Sequence, residues 1–341
     1  MNAADLLMQL VNIRTDRDES ELVAFLAPLL ESWGARVTVK EVMPRRPNLI
    51  ATFPGRDSSR SLMLEAHSDT VGGDAPFTAS IRDGRLYGRG ACDTKASMAA
   101  MLLGIRAAQP SITVHFVSTC NEEHGASGAQ ALIAGGFRAD MAVVGEPTEL
   151  KIVHAHKGAV RLKLRTTGVA AHSSDPSRGV NAIYKMRAVL EKLEQFKPAV
   201  RHPLLGEPTL SVGIIRGGTE VNTVPAQCEI EVDRRIVPGE NIEEIVRSIL
   251  TGLDVQSEVT EFYPPLEQDT ASPVAQRLAA AMPRPEFGIA PYATNAGVFK
   301  AAGIPCVVFG PGSARQAHTR DEFVELAQVE QAAQVFRKLI T

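Results

Sequence analysis

Two short apolar runs, Ile112–Val117 and Met141–Val144, constrain the fold of this chain most. Each is too short for a core helix and reads as a strand buried on both faces, as in a helix-covered sheet. The surrounding segments agree. An opening helix over residues 3–13 puts Leu6, Leu10 and Ile13 on one face, and a second over 20–33 stops before Gly34. Strand-like runs follow at Arg36–Val42, Leu49–Phe53 and Ser61–Ala66, and a helix after Asp93-Thr94 carries Met98, Met101, Leu102 and Ile105. Strands alternating with helices imply an α/β domain with a central mixed sheet flanked by helices.

After Lys157-Gly158 the texture changes. Val160–Thr166 alternates as a half-buried strand, and a helix over 180–196 presents Ile183, Met186, Leu190 and Leu193. Strands at Thr209–Ile215 and Gln227–Val232, a helix at Ile242–Leu253 and the run Ser257–Phe262 lead into Pro264-Pro265. This βαββαβ pattern predicts an inserted α+β, ferredoxin-like domain over 158–265. Helices at Pro273–Met282 and Asp321–Ile340 around a strand at Cys306–Phe309 then return to the first domain, making it discontinuous over 1–157 and 266–341.

Charge and cysteine usage narrow the function. A formal net charge of -3 argues against nucleic-acid or anionic-membrane partners. No apolar stretch is long enough to span a membrane, and Met1–Asp5 lacks the basic and apolar regions of a signal peptide. Cys92, Cys120, Cys228 and Cys306 form no CxxC pair, so neither a disulfide framework nor a thiolate zinc site is expected. The expectation is a cytoplasmic protein with reduced thiols.

Carboxylates and histidines follow the apolar runs. His67 and Asp69 end one, and on extended backbone residues two apart project to the same side. Asp69 could then bond one nitrogen of His67 while the other meets a metal, although strand-end histidines beside an acid are common. Asp93, after a glycine-containing lead-in, reads as a helix N-cap, a metal ligand, or both. The adjacent Glu122-Glu123 reads either as a solvated acidic turn or as one metal ligand beside one proton acceptor, since adjacent side chains diverge. Glu146 ends another apolar run, and His318 precedes the last helix. Each is ordinary alone. Together they place nitrogen and oxygen donors at strand ends, where open α/β sheets assemble sites. The donor set suits two divalent ions; zinc fits, as do cobalt and manganese. No GxSxG motif suggests a serine hydrolase, and the loop around Gly88 and Gly90 lacks the Lys-Ser/Thr of a phosphate loop.

At these residues the chain resembles the metallo-aminoacylase and exopeptidase family, which includes acetylornithine deacetylases, succinyl-diaminopimelate desuccinylases and glutamate carboxypeptidases. The resemblance implies that His67 and Glu146 hold one metal, that Glu123 and His318 hold the other, and that Asp93 bridges them. It makes Asp69 the orienting partner of His67, and Glu122 the general base. It makes the inserted domain a lid and the surface of a homodimer. There, Ala171-His172-Ser173-Ser174-Asp175-Pro176 is nearest the acetylornithine deacetylase branch, and His172 would polarise the substrate carbonyl, commonly across a dimer. Asn222 and Arg235 would hold the substrate carboxylate, although Asp233 offers Arg235 an ordinary ion pair. Ala96 and the segment Tyr292–Ala296 depart from the family pattern. The implied activity is hydrolysis of a small N-acyl amino acid. Succinyl-diaminopimelate, other acyl amino acids and di- or tripeptides are alternative substrates on the same site. A metal-dependent binding module without catalysis is a further alternative, although such a module has no need of Glu122.

Overall fold

The computed structural model describes residues 2–341, which divide into two compact units. Unit 1 comprises Met1–Ala155, Leu266–Ala290 and Thr294–Thr341; unit 2 comprises His156–Pro265 and Pro291–Ala293. The chain opens with α1 (Ala3–Asn12), α2 (Ser20–Ser32), β1 (Arg36–Met43), β2 (Arg46–Phe53), β3 (Asp57–His67), β4 (Ser80–Arg82) and β5 (Arg85–Tyr87). It continues through α3 (Lys95–Arg106), β6 (Ile112–Thr119), α4 (Ser127–Ala134), β7 (Met141–Val144) and β8 (Ile152–His156). The inserted segment holds β9 (Gly158–Thr167), α5 (Ala182–Gln195), β10 (Thr209–Gly217), β11 (Gln227–Ile236), α6 (Ile242–Leu250) and β12 (Gln256–Tyr263). Last come β13 (Leu266–Glu267), α7 (Pro273–Ala281), β14 (Phe287–Ala290), α8 (Asn295–Ala301), β15 (Cys306–Val308), β16 (Phe323–Glu325) and α9 (Leu326–Ile340).

Among the described residues, unit 1 is built on a nine-stranded sheet in the order β1-β2-β6-β3-β7-β15-β8-β13, with β14 paired to β8. Its centre, β6-β3-β7-β15, is parallel, whereas the pairs β1–β2, β2–β6 and β15–β8 are antiparallel. The fold is therefore α/β with a mixed sheet. The parallel strands are apolar because helices cover them: Leu62, Leu64, Val114, Phe116 and Val143 share one core with α1, α2, α3 and α9. A side-chain carbon added at Gly104 in α3 would lie 2.8 Å from Phe336 Cβ of α9. Only glycine allows the two helices to approach this closely.

Local sequence explains several helix starts. Asn2 and Asp5 form a reciprocal capping box on α1, with Asp5 N donating to Asn2 Oδ1 at 2.8 Å. The last helix differs from expectation. It begins at Leu326 instead of Asp321, because Phe323–Glu325 pair antiparallel with Tyr87–Arg85 as β16. A tertiary ladder has overridden a local helical pattern.

Unit 2 is a four-stranded antiparallel sheet in the order β10-β11-β9-β12. Numbered along the insertion, that is 2-3-1-4, the ferredoxin-like arrangement of a βαββαβ chain. Val160, Leu162 and Leu164 of β9 pack with Met186, Val189 and Leu193 of α5 in a separate core.

His156 ends β8 fully buried, and burial lowers its pKa to about 4, while its Nδ1 lies 2.9 Å from the Lys157 carbonyl. The neutral ring therefore contributes stability that is complete above the ordinary histidine range near pH 6.5 and is lost as pH falls towards about 4. Denaturant titrations over this window should show up to about 3 kcal/mol of acid-dependent loss from this residue. The His156→Asn variant should lose correspondingly less over the same descent, whatever its starting stability. Identical pH slopes for the two proteins would refute the assignment.

Candidate metal centre

The four parallel strands end side by side, and each hands its next residues to one place. Strand β3 ends in His67, β6 leads into Glu122-Glu123, β7 leads through Gly145 to Glu146, and β15 leads through Gly310–Gly312 to His318. Backbone bonds extend the ladder past the strand ends: Gly145 N donates to Glu65 O at 2.7 Å, and Ser68 N donates to Thr119 O at 2.8 Å. Asp93 arrives on the turn before α3. Thr94 occupies the cap position but makes no capping bond; its hydroxyl donates to Gly145 O at 2.7 Å. Asp93 likewise faces histidines. Its Oδ1 lies 3.0 Å from His67 Nε2, and its Oδ2 lies 3.4 Å from His318 Nε2.

The paired glutamates diverge. Glu123 stands 3.0 Å from His318 Nε2, and its donor atom clusters with those of His67 and Asp93. Glu122 clusters instead with His67 and Glu146. In both groups the donor atoms lie within 4.8 Å of one another. Asp69 underlies the arrangement in two ways. Its main-chain carbonyl lies 3.0 Å from His67 Nδ1, closer than its carboxylate at 3.5 Å. Its carboxylate oxygens accept from Glu122 N at 2.9 Å and Glu123 N at 3.0 Å. Asp69 therefore orients the histidine and the glutamate turn together.

Electrostatics indicate what the cluster can hold. Burial, reinforced by neighbouring carboxylates, pushes the Glu122 and Glu146 carboxyls well above their ordinary range, and Glu123 is raised for the same reasons. Burial also opposes charge on His67 and Asp93, but their mutual bond and further contacts win, raising His67 and lowering Asp93. Bonds to Asp93 and Glu123 raise His318 to about 10. Carboxylates this close and this buried need protons or cations. The oxygen and nitrogen donors fit two divalent ions, with Asp93 between the two histidines.

Several supporting residues carry no local sequence signal. Glu322 sits in what looks like the first turn of the last helix. It is buried, and its carboxylate accepts from Gly90 N, Cys92 N and Asp93 N at 2.9–3.1 Å and from Arg89 Nη1 at 2.6 Å. It thereby holds the turn that carries Asp93. Beneath His67, Glu65 accepts from Thr119 Oγ1 at 2.5 Å and Asn295 Nδ2 at 2.9 Å. Only long-range pairing reveals either role.

The remaining candidates lie on unit 2. His172 is exposed, and its Nδ1 accepts from Ser174 N at 3.1 Å, leaving Nε2 to carry the proton of a neutral ring. Asn222 is adjacent, its carbonyl accepting from Ser173 N at 3.0 Å. Arg235 pairs with Asp233 through both Nε and Nη2, at 2.8 and 3.2 Å. The ordinary ion pair is thus present in this structure.

Residues 63–341 match the model of peptidase family M20/M25/M40. Acetylornithine deacetylase of Proteus mirabilis is 31% identical over 355 residues, covering 96% of this chain and 91% of the relative. The Edwardsiella ictaluri enzyme of the same name is 33% identical over 340 residues, covering 91% and 87%. Among solved structures, an M20 family metallo-carboxypeptidase from Sulfolobus solfataricus superposes with a TM-score of 0.83 at 18% identity, covering 100% of this chain and 98% of that one. A dinuclear metal binding peptidase of the family from Bacillus subtilis gives 0.71 at 15% identity, covering 99% and 96%. The chain belongs to the M20/M25/M40 peptidase family. It is a hydrolase of amide bonds. Among the described residues, no helix is long and apolar enough to cross a membrane.

The pKa directions predict how the metal-free protein behaves. Raised carboxyls and raised histidines both stabilise the fold most when protonated, so this contribution fades as pH rises through their folded-state values. After chelation, the melting temperature should fall between about pH 5 and about pH 9, and restored metal should abolish most of that fall. Equal melting curves for stripped and loaded protein across this range would contradict a metal centre here.

Proposed function

We propose that this chain is a two-metal deacylase of small N-acyl amino acids, acting on acetylornithine or a close analogue. The observation that carries the reading is Asp93, its two carboxylate oxygens directed one at His67, the other at His318. Under this reading His67 and Glu146 would hold one ion, Glu123 and His318 would hold the other, and Asp93 would serve both. Zinc is the proposed ion. Two bound cations would lower the pKa of the attacking water and offset charge developing on the amide oxygen.

The protein's own groups do the rest. Glu122 takes a proton from water as the oxygen attacks the carbonyl carbon. It returns that proton to nitrogen as the C–N bond breaks, leaving a carboxylate and a free amine. His172, with Nε2–H as its outward donor, would stabilise the developing oxyanion, an interaction often worth about 3 kcal/mol. Arg235 would exchange Asp233 for the substrate carboxylate, a bidentate contact that lysine reproduces poorly, and Asn222 would assist it. Segment 158–265 is read as a closing lid and as the surface of a homodimer, through which His172 would serve the neighbouring site.

Support for the substrate comes from the acetylornithine deacetylases, which match at about 30% identity along nearly the whole chain. Amine release from N-acetyl-L-ornithine by zinc-loaded protein is the test. Release should fall at least about a hundredfold in Glu122→Gln with both metals retained, whereas Glu123→Gln should lose one metal. A Glu122→Gln variant as active as the parent would remove Glu122 from its role. No release from the metal-loaded parent would reject acetylornithine, with succinyl-diaminopimelate and dipeptides as the next substrates.

His172→Ala should lower kcat by about a hundredfold with little change in melting temperature. If the histidine serves the neighbouring subunit, mixing inactive His172→Ala and Glu122→Gln proteins should restore part of the activity. Unchanged kcat in His172→Ala would sink the oxyanion role.

A further inference from the structure

Two of the side chains that hold the turn carrying Glu122 and Glu123, Arg46 and Asn48, come from the first fifty residues, ahead of the segment 63–341 that matches the family. Strand β2 runs antiparallel to β6, with Leu49 opposite Ser118 and Phe53 opposite Val114. Residues Arg46–Asn48 therefore overrun the end of β6 and lie beside the turn that follows it. Asn48 closes the base of that turn. Its Oδ1 accepts from Cys120 N at 3.0 Å, and its Nδ2 donates to Gly128 O at 2.8 Å. The fit is close enough that a side-chain carbon on Gly128 would lie 2.3 Å from Cys120 O and 2.8 Å from Asn48 Oδ1.

Arg46 reaches further, to the residue before the paired glutamates. Its Nη1 donates to Asn121 Oδ1 at 3.0 Å and to Glu19 Oε1 at 2.9 Å, while Nη2 donates to Asp16 O at 3.3 Å. Glu19 is fully buried at the start of α2, and its own N–H donates to Arg45 O at 3.1 Å. Asn121 has left-handed backbone at φ 57°, and its Nδ2 donates to His124 O and Ser127 Oγ, both at 2.9 Å. A largely buried ion pair is a costly way to hold a turn, because two charges must be desolvated. It also fixes direction. The guanidinium plane sets two donors at once, joining α2 to the turn in one geometry.

We propose that Arg46, oriented by Glu19, is a positioning residue that sets where the Glu122 and Glu123 carboxylates lie. The N-terminal segment would thereby govern both amide cleavage and retention of one metal; this rests on the roles given to the two glutamates above. Asp69 holds the amides of Glu122 and Glu123 from below, and Arg46 holds the side chain of Asn121 from the N-terminal side. Without the second anchor the turn keeps its fold and loses its aim.

The test uses the full-length chain with Arg46→Lys, Glu19→Gln and their combination. Steady-state kinetics are measured on the substrate established for the parent. Cobalt(II) titration of chelated protein, followed by its visible absorption, reads the metal sites independently of turnover. In Arg46→Lys, kcat should fall about tenfold or more, KM should stay within about threefold, and the weaker cobalt site should lose about tenfold in affinity. The double variant should be no worse than Arg46→Lys, because both changes break one chain of contacts. Parent-like kcat and cobalt binding, with only a lowered melting temperature, would reduce Arg46 to a structural role and overturn the proposal. Should Arg46→Lys fail to fold, Glu19→Gln alone carries the same two outcomes, since it releases Arg46 and leaves the bonds from Asn121 to His124 and Ser127 in place. A parent that binds no metal and cleaves no amide would bring down the functional reading and this proposal together. A working parent with indifferent variants would bring down this proposal alone.

Discussion

Burying like charges together is the constraint on which unit 1 depends. Asp93, Glu122, Glu123 and Glu146 are withdrawn from water within reach of one another, and burial pushes all four carboxyls up, with Asp93 brought below its ordinary range by its bonds to His318 and His67. Such a group is stable only with cations or protons among its members. The scaffold must therefore hold acidic side chains where they repel, which explains how many main-chain amides nearby are committed to carboxylates. Asp69 takes two, and Glu322 takes three. These second carboxylates are stabilised by the N–H groups they accept from, and each passes that rigidity to a residue facing the cluster.

The parallel centre of the sheet accounts for what was legible in the sequence. Strands β6, β7 and β15 and the second half of β3 are largely apolar and buried, so their ends stand out as the points where polar residues resume. His67, Glu122, Glu123 and Glu146 are visible for that reason, and His318 follows the last of these strands. The inserted βαββαβ segment was equally legible, because β9 and β11 alternate buried and less buried residues along most of their lengths. Helix α5, with Met186, Val189 and Leu193 buried, kept the helical period that announced it.

What stayed hidden is non-local. Asp321-Glu322 looks like the acidic first turn of a helix, yet Glu322 is claimed by a turn some 230 residues earlier and the next three residues by a strand ladder. Glu19 and Arg46 look like surface charges in a polar stretch, and only the overrun of β2 past β6 brings them to Asn121. Helix α8 was not anticipated either. Its seven residues are too few to show a period, and Asn295 within it is turned to Glu65 instead of solvent. In each case the local pattern was compatible with a simpler reading, and a distant partner decided the outcome.

These partners also show why the site cannot be assigned to one stretch of chain. Asp93 is aimed by Glu322 from the C-terminal segment, the glutamate turn is held by Arg46 from the N-terminal segment, and His67 rests on a strand whose Glu65 is bonded by Asn295. Each donor toward the cluster is thus fixed by a residue from a different part of unit 1, and the insertion interrupts the chain between them. Metal binding to such a constellation requires the first and last parts of unit 1 to have come together. Ion uptake would therefore stabilise the completed domain by linkage, because the unfolded chain offers these donors singly and the folded one offers them converged.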